Sequence, residues 1–221
     1  MSLFLSHIRL SRSPSAQALA GLLMPEDQAQ RYSAQHNLLW SVFADGPERK
    51  RDFLWREDTD GSFLVLSERP PSQTDLFKPH QVKPFAPSLS AGDHLQFLLR
   101  VNATRMRKNQ RVDVVMDALH DIPQSGRAAL RMESAGKEGR AWLERQGTAS
   151  GFRLLDTTVH DYSAVTLPVI RGRKGRPHFG IIDLSGKLEV EDPDTFLASI
   201  AKGFGRAKAF GCGLMLVRRA E

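Results

Sequence analysis

Residues 202–213, Lys202-Gly203-Phe204-Gly205-Arg206-Ala207-Lys208-Ala209-Phe210-Gly211-Cys212-Gly213, place four glycines and three cations in twelve positions with no acid among them. They follow a helical pattern that starts at Asp192-Pro193 and runs through Phe196, Leu197, Ile200 and Ala201, and they lead into the apolar run Leu214 to Val217. Proline in the first turn and glycine past the last turn frame a helix, so the order is helix, bare basic loop, strand. A P-loop needs G-x-x-x-x-G-K-[ST] between a strand and a helix. Here the flanks are reversed and that spacing is missing. The dinucleotide pattern G-x-G-x-x-G meets Lys208 where its third glycine belongs. The RNA-recognition octapeptide K/R-G-F/Y-G/A-F-V-x-F/Y matches through Lys202-Gly203-Phe204-Gly205, then breaks at Arg206, Ala207 and Ala209, which replace its Phe, Val and terminal aromatic. Such a loop is either a helix cap with a tight entry into a last strand or a concavity of backbone N–H groups that holds an anion.

Working back from this loop, His178 to Leu184 reads as a strand that turns at Ser185-Gly186 into Leu188 to Val190. Phe152 to Val159 and Tyr162 to Ile170 are strand-like, and Glu138 to Gln146 is a helix ended by Gly147 to Gly151. The front of the chain has the same order. Ser2 to Leu10 alternates as a strand, and Pro25-Glu26-Asp27 starts a helix carrying Ala29, Tyr32, His36, Leu39, Trp40 and Phe43 at helical spacing. Arg51 to Glu57 and Ser62 to Glu68 flank a turn, Pro70 to Ala91 holds five prolines and admits at most a stunted helix, and His94 to Thr104 alternates again. Arg105 to Glu133 is an irregular charged region with one apolar patch, Val112 to Leu119. Each half approximates β-α-β-β-α-β. The expected class is α+β, two tandem ferredoxin-like (RRM-like) βαββαβ domains over residues 1–108 and 109–221.

The chain has 221 residues, 41% of them hydrophobic, with 12 Phe and 3 Trp to fill a core. No run approaches the ~20 apolar residues of a membrane span, and MSLFLSHIRLSRS lacks the charged, apolar and cleavage regions of a signal peptide. The single Cys212 permits neither an internal disulfide nor a zinc spacing. A cytoplasmic protein without metal or other cofactor is expected. The net charge of +6 is unevenly placed. Arg100 to Arg111 holds five cations including Arg105, Arg107 and Lys108; Arg171-Gly172-Arg173-Lys174-Gly175-Arg176 holds four; Lys202 to Arg219 holds five, and none of the three runs contains an acid. Each Lys or Arg that meets a phosphate adds salt-dependent affinity. Nucleic acid is the leading partner.

Two stretches together resemble one family. Helix, Gly203-x-Gly205-x-x-x-x-x-Gly211-x-Gly213, strand, in the form G-F-G-R-A-K-A-F-G-C-G-L, is similar to the glycine-rich loop of the CasE family, the CRISPR repeat-RNA endoribonuclease subunit of type I-E Cascade. The N-terminal helix segment Gln35-His36-Asn37-Leu38-Leu39-Trp40-Ser41-Val42-Phe43, followed by Arg51-Asp52-Phe53-Leu54-Trp55-Arg56, is similar to that family's His-x-x-Leu-Trp-x-x-Phe helix and its following strand. The resemblance covers both ends of the chain and is weak across residues 70–91 and 105–133.

Spacing alone makes His36 a half-buried histidine on an apolar stripe. The resemblance makes it catalytic, in a metal-independent cut at the 3′ base of a repeat stem that leaves a 2′,3′-cyclic phosphate and a 5′-hydroxyl. Imidazole can serve there as acid or as base. Family members carry a tyrosine three residues before the histidine; here that position is Ser33, and Tyr32 lies four before on the same helix face. The resemblance further implies that Arg171, Arg173, Lys174 and Arg176 form a hairpin gripping the stem. It implies as well that Gly203, Gly205, Gly211 and Gly213, with Arg206 and Lys208, border the RNA cleft. CRISPR repeat RNA, the processed crRNA and other Cascade subunits are the implied partners, with no membrane. Against this stand a non-catalytic RRM-like RNA-binding protein, which should present aromatic platforms, and a basic structural subunit without RNA specificity.

Overall fold

The computed structural model describes residues 2–46, 48–59, 61–167 and 178–220. It is mixed α+β and forms two tandem ferredoxin-like domains. The first compact unit spans residues 1–87 together with 166–177 and 208–211; the second holds 88–165, 178–207 and 212–221.

In the first unit, β1 (Phe4–Arg9) is followed by the short helices α1 (Pro14–Ala18) and α2 (Ala20–Leu23), then α3 (Gln28–Phe43), β2 (Phe53–Thr59), β3 (Ser62–Ser67) and β4 (Gln81–Pro84). The sheet order β2-β3-β1-β4, antiparallel throughout, is that of a ferredoxin-like fold. Asp27 caps α3 by accepting from the backbone N–H of Gln30 at 2.8 Å, which satisfies a donor the helix itself leaves open. Leu38, Leu39, Val42 and Phe43 then fall on one face and pack on Ile8, Phe53, Trp55, Phe63, Val65 and Phe77. Burial of each large apolar side chain contributes about 1.5–3 kcal/mol.

The strand that closes this sheet is not the one the sequence predicts. β4 occupies the edge, and all four of its residues are exposed. It shows no alternation because it pairs on one side only, with β1. An edge is also where Pro84, lacking an N–H, is tolerated. No helix forms among residues 68–80.

His94–Val101, expected to close the first sheet, is β5 and lies inside the second. There its alternating Leu95, Phe97, Leu99 and Val101 are buried and both of its edges are paired. The units therefore part near residue 87, not at the expected 108/109 boundary. After β5 come a hairpin of β6 (Thr104–Arg107) and β7 (Gln110–Asp113), α4 (Val114–Ala118), α5 (Gln124–Ser150), β8 (Phe152–Thr166), β9 (His178–Val190), α6 (Pro193–Lys202) and β10 (Met215–Arg219). The sheet order β10-β5-β9-β8 repeats that of the first unit.

The stretch read as irregular thus holds a hairpin, a short helix and half of a long one. The front of α5 leaves Leu130 and Met132 exposed, whereas Ala135, Gly139, Trp142 and Leu143 behind them are buried. Only that second half carries a helical apolar period, so only it was legible. β8 and β9 are continuous where the sequence suggests breaks; Gly186 lies against the β8 backbone at Asp156 and is not a turn. Among the described residues no helix is long and apolar enough to cross a membrane.

Candidate active site and nucleic-acid interface

His36 stands midway along α3, half-buried, beside the helix's core face. One turn later the indole N–H of Trp40 donates to His36 Nε2 at 3.0 Å, and the rings meet edge to face with centroids 6.1 Å apart. Trp40 is fixed in turn by Phe53, whose ring it meets at 5.4 Å, and Phe53 stacks on Phe43 at 4.5 Å. Because Nε2 accepts, the neutral imidazole carries its proton on Nδ1. That nitrogen is buried and has no hydrogen-bond partner among the described residues.

Burial, and then the charge of Arg51, hold the His36 pKa below the ordinary histidine value. Both act against the imidazolium, so the ring is neutral around pH 7. Arg51 lies just ahead of β2, and burial disfavours its own charge as well. Tyr32 sits one turn before His36 on α3. Neither Trp40 nor Arg51 is assigned a role by the sequence reading, although both lie inside the segments that resemble the CasE family. For Trp40 the available signal was its i+4 spacing from a histidine.

The glycine-rich loop is built mostly by internal bonds. Gly203 ends α6 at φ +76° with its N–H on Ser199 O and Ile200 O. Phe204 N–H bonds to Gly213 O at 2.9 Å, and its ring packs on Phe152. Gly205 has φ +65°, and a Cβ there would lie 2.5 Å from Val101 Cγ2 and 2.7 Å from Asn102 O. Next, Arg206 N–H bonds to Asn102 O. Lys208–Phe210 forms a 3₁₀ turn that packs on α3 and β2, and Gly211, at φ +75°, would bring a Cβ to 3.1 Å from the Trp55 ring. Gly213 N–H bonds to Arg100 O at 2.8 Å. At Gly205 and Gly211 both the left-handed backbone and the close neighbour call for glycine. The N–H groups of Gly203 and Gly213, expected to face a ligand, are spent inside the fold.

The candidate cations separate by their partners. Arg105 is tied to Asp117 and, at 2.8 Å, to Glu138; Arg107 also holds Asp117, at 2.5 Å. Burial alone would raise the Asp117 carboxyl, but its bonds from Arg107 and Arg105 hold it below the usual range. Lys108 is exposed at the tip of the β6–β7 hairpin. Arg206 is exposed and lines a cavity of about 530 Å³ with Asn102, Arg111 and His178. His36, Tyr32, Lys208 and Gly211 belong to the first unit; Arg105, Arg107, Lys108, Gly203, Gly205, Arg206 and Gly213 to the second. Arg171, Arg173, Lys174 and Arg176 lie outside the described residues.

Comparison with known proteins agrees with the family resemblance. The chain is 29% identical over 216 residues to the CRISPR-associated endoribonuclease Cse3 of Thermus thermophilus, covering 86% of this chain and 91% of that one. It is also 29% identical over 189 residues to the CRISPR system Cascade subunit CasE of Escherichia coli, covering 81% and 88%. Among solved structures it is similar to Cse3 bound to a 19-nucleotide RNA, with a TM-score of 0.68, 25% identity and coverage of 99% and 100%. The E. coli Cas6e structure, at 19% identity and a TM-score of 0.64, shares the fold. The sequence profile of the family described as CRISPR associated protein matches residues 3–219, and the chain belongs to that family.

Proposed function

We propose that this protein is an endoribonuclease that binds CRISPR repeat stem-loops, cuts at the 3′ base of the stem, and keeps the product as a Cascade subunit. Its relatives carry the names endoribonuclease and Cascade subunit. The single observation that carries the reading is His36, an imidazole favoured in its neutral form whose Nε2 is already an acceptor.

An acceptor nitrogen is what a 2′-hydroxyl needs as general base. The 2′-OH takes the place of the Trp40 N–H and gives its proton to Nε2. The 2′-oxygen bonds to phosphorus as the P–O5′ bond breaks, leaving a 2′,3′-cyclic phosphate, and the departing 5′-oxygen takes a proton from water. Internal attack of this kind asks for no metal. Tyr32 orients the ring or the phosphate from one turn away. Lys108, Arg206, Lys208 and the cations of residues 171–176 hold the RNA backbone. Arg105 and Arg107, already paired, shape the hairpin that carries Lys108.

The test is single-turnover cleavage of a repeat hairpin in EDTA. The wild-type protein is expected to cut once, at the stem base. His36→Ala is expected to lose at least ~10²-fold in rate with RNA affinity nearly intact. Tight binding without cleavage by the wild type would favour a non-catalytic RNA-binding module, and equal binding of unrelated hairpins a structural subunit.

A further inference from the structure

Around the start of β2 the arginines are paired, with one exception. Arg31 holds Glu57 at 2.7 Å. Arg49 and Arg69 share the Asp52 carboxylate at 2.6 and 2.8 Å, and Arg69 also reaches Asp45 at 3.1 Å. Arg51, the immediate neighbour of Asp52, takes part in none of this. It is half-buried, and it has neither an acid nor a hydrogen-bond partner among the described residues. Its charge acts on His36.

A partly buried guanidinium without a counter-charge is costly, and folded proteins normally pair it. The acid nearest in sequence is present, but it is turned to Arg49 and Arg69. Among the described residues Arg51 is therefore a cation without a counter-charge, and its field reaches an imidazole favoured in its neutral form. Packing fixes the arrangement: Phe53, two residues on, anchors Trp40, which holds His36. Guanidinium is planar, carries five donors, and suits two oxygens of one phosphate.

We propose that Arg51 is a catalytic residue, an anion-binding group whose missing partner is the scissile phosphodiester held beside His36. Its guanidinium donates to the non-bridging oxygens and stabilises the charge that grows on them as the 2′-oxygen attacks. No proton passes through it. Its positive charge also disfavours protonation of His36 before RNA arrives, and the phosphate relieves that effect once bound, so the base becomes stronger in the complex. This rests on the reading of His36 as the base.

The experiment compares wild type, Arg51→Gln and Arg51→Lys on a repeat hairpin, with affinity measured on the same hairpin carrying a 2′-deoxy nucleotide at the cut site. Arg51→Gln is expected to lose about 10²–10³-fold in single-turnover rate, the range seen on removing one oxyanion donor, and Arg51→Lys to recover part of it. Affinity should change far less. The melting temperature should stay level or rise, because a half-buried charge with no counter-charge among the described residues has been removed. A rate within threefold of wild type for Arg51→Gln overturns the proposal. So does a loss of melting temperature that accounts for the lost activity, because that marks a structural arginine. A second measurement needs no RNA: titration with inorganic phosphate, followed by the imidazole nitrogens of His36 in NMR, should raise the His36 pKa in wild type and leave Arg51→Gln unmoved. A wild type that binds phosphate there but cuts no RNA would sink the proposed function and not the anion site; cleavage by the wild type with no response to phosphate and no loss in Arg51→Gln would do the reverse.

Discussion

The α3–β2 neighbourhood and the glycine-rich loop are the two stretches that resemble one family, and they treat their polar groups in opposite ways. Around α3, among the described residues, Nδ1 of His36 is buried without a partner and Arg51 lacks a counter-charge. In the loop, the N–H groups of Gly203, Phe204, Arg206 and Gly213 all bond within the fold, and the basic hairpin that begins at Thr104 ties Arg105 and Arg107 to acids. Buried polar groups are normally satisfied. A place where they are left open in one cluster is a place that awaits a ligand. Charge density in the sequence does not find it; the pairing does.

If that contrast holds, substitutions in the loop and hairpin lower stability, and those around α3 lower rate. The largest effect on folding is expected at Gly205→Val, which must accept a positive φ and a clash with Val101 and the Asn102 carbonyl. It should cost about 2–4 kcal/mol in denaturant unfolding. Unchanged stability with lost RNA affinity would instead return the loop to a backbone cradle for phosphate. Trp40→Phe keeps the contact with Phe53 and removes the donor to His36. Without that donor the Nδ1–H tautomer, which leaves Nε2 able to accept, loses about 1 kcal/mol of preference before RNA binds, so the cleavage rate should fall roughly 5-fold. RNA affinity should not move, and nitrogen NMR should lose the preference for the Nδ1–H tautomer. The smallest effect is expected at Arg105→Gln. Its ion pairs are a third exposed on the arginine side, so about 1 kcal/mol or less of stability is at stake. Cleavage at saturating RNA should be unchanged; a tenfold slower rate would break the contrast.

Much of this fold was legible because its buried strands alternate and its helices are capped. Asp27 and Asp192 mark the starts of α3 and α6, and Leu95, Phe97, Leu99 and Val101 announce β5. What the sequence hid has physical causes. β4 is an exposed edge strand, so it lacks a pattern. The first half of α5 buries too little to show a period. The partner of β5 is a matter of topology, and a βαββαβ order gives no hint of which sheet a strand joins. At the site, His36 carries the chemistry only through its resemblance to a family motif, since its spacing suits a core histidine equally well. Trp40 and Arg51 were invisible as functional groups because one is defined by what it holds and the other by what it lacks. Gly205 and Gly211 were legible as glycines that matter, but their reason lies in neighbours distant in sequence, Val101 and Trp55.

The central claim is that neutral His36 is the base, and the pH dependence of single-turnover cleavage tests it most directly. The folded pKa lies below the ordinary histidine value, pushed there by burial and by Arg51. In the unbound protein the deprotonated form therefore predominates at neutral pH and declines as pH falls through that lowered value. With protein in excess over repeat hairpin but well below saturation, in EDTA, so that the profile reports the unbound protein, the account predicts a rate that is flat from about pH 7 upward and falls on the acid side, with no such step in His36→Ala. A rate that climbs as pH falls below neutrality would mean that the imidazolium is the active form, and would contradict it.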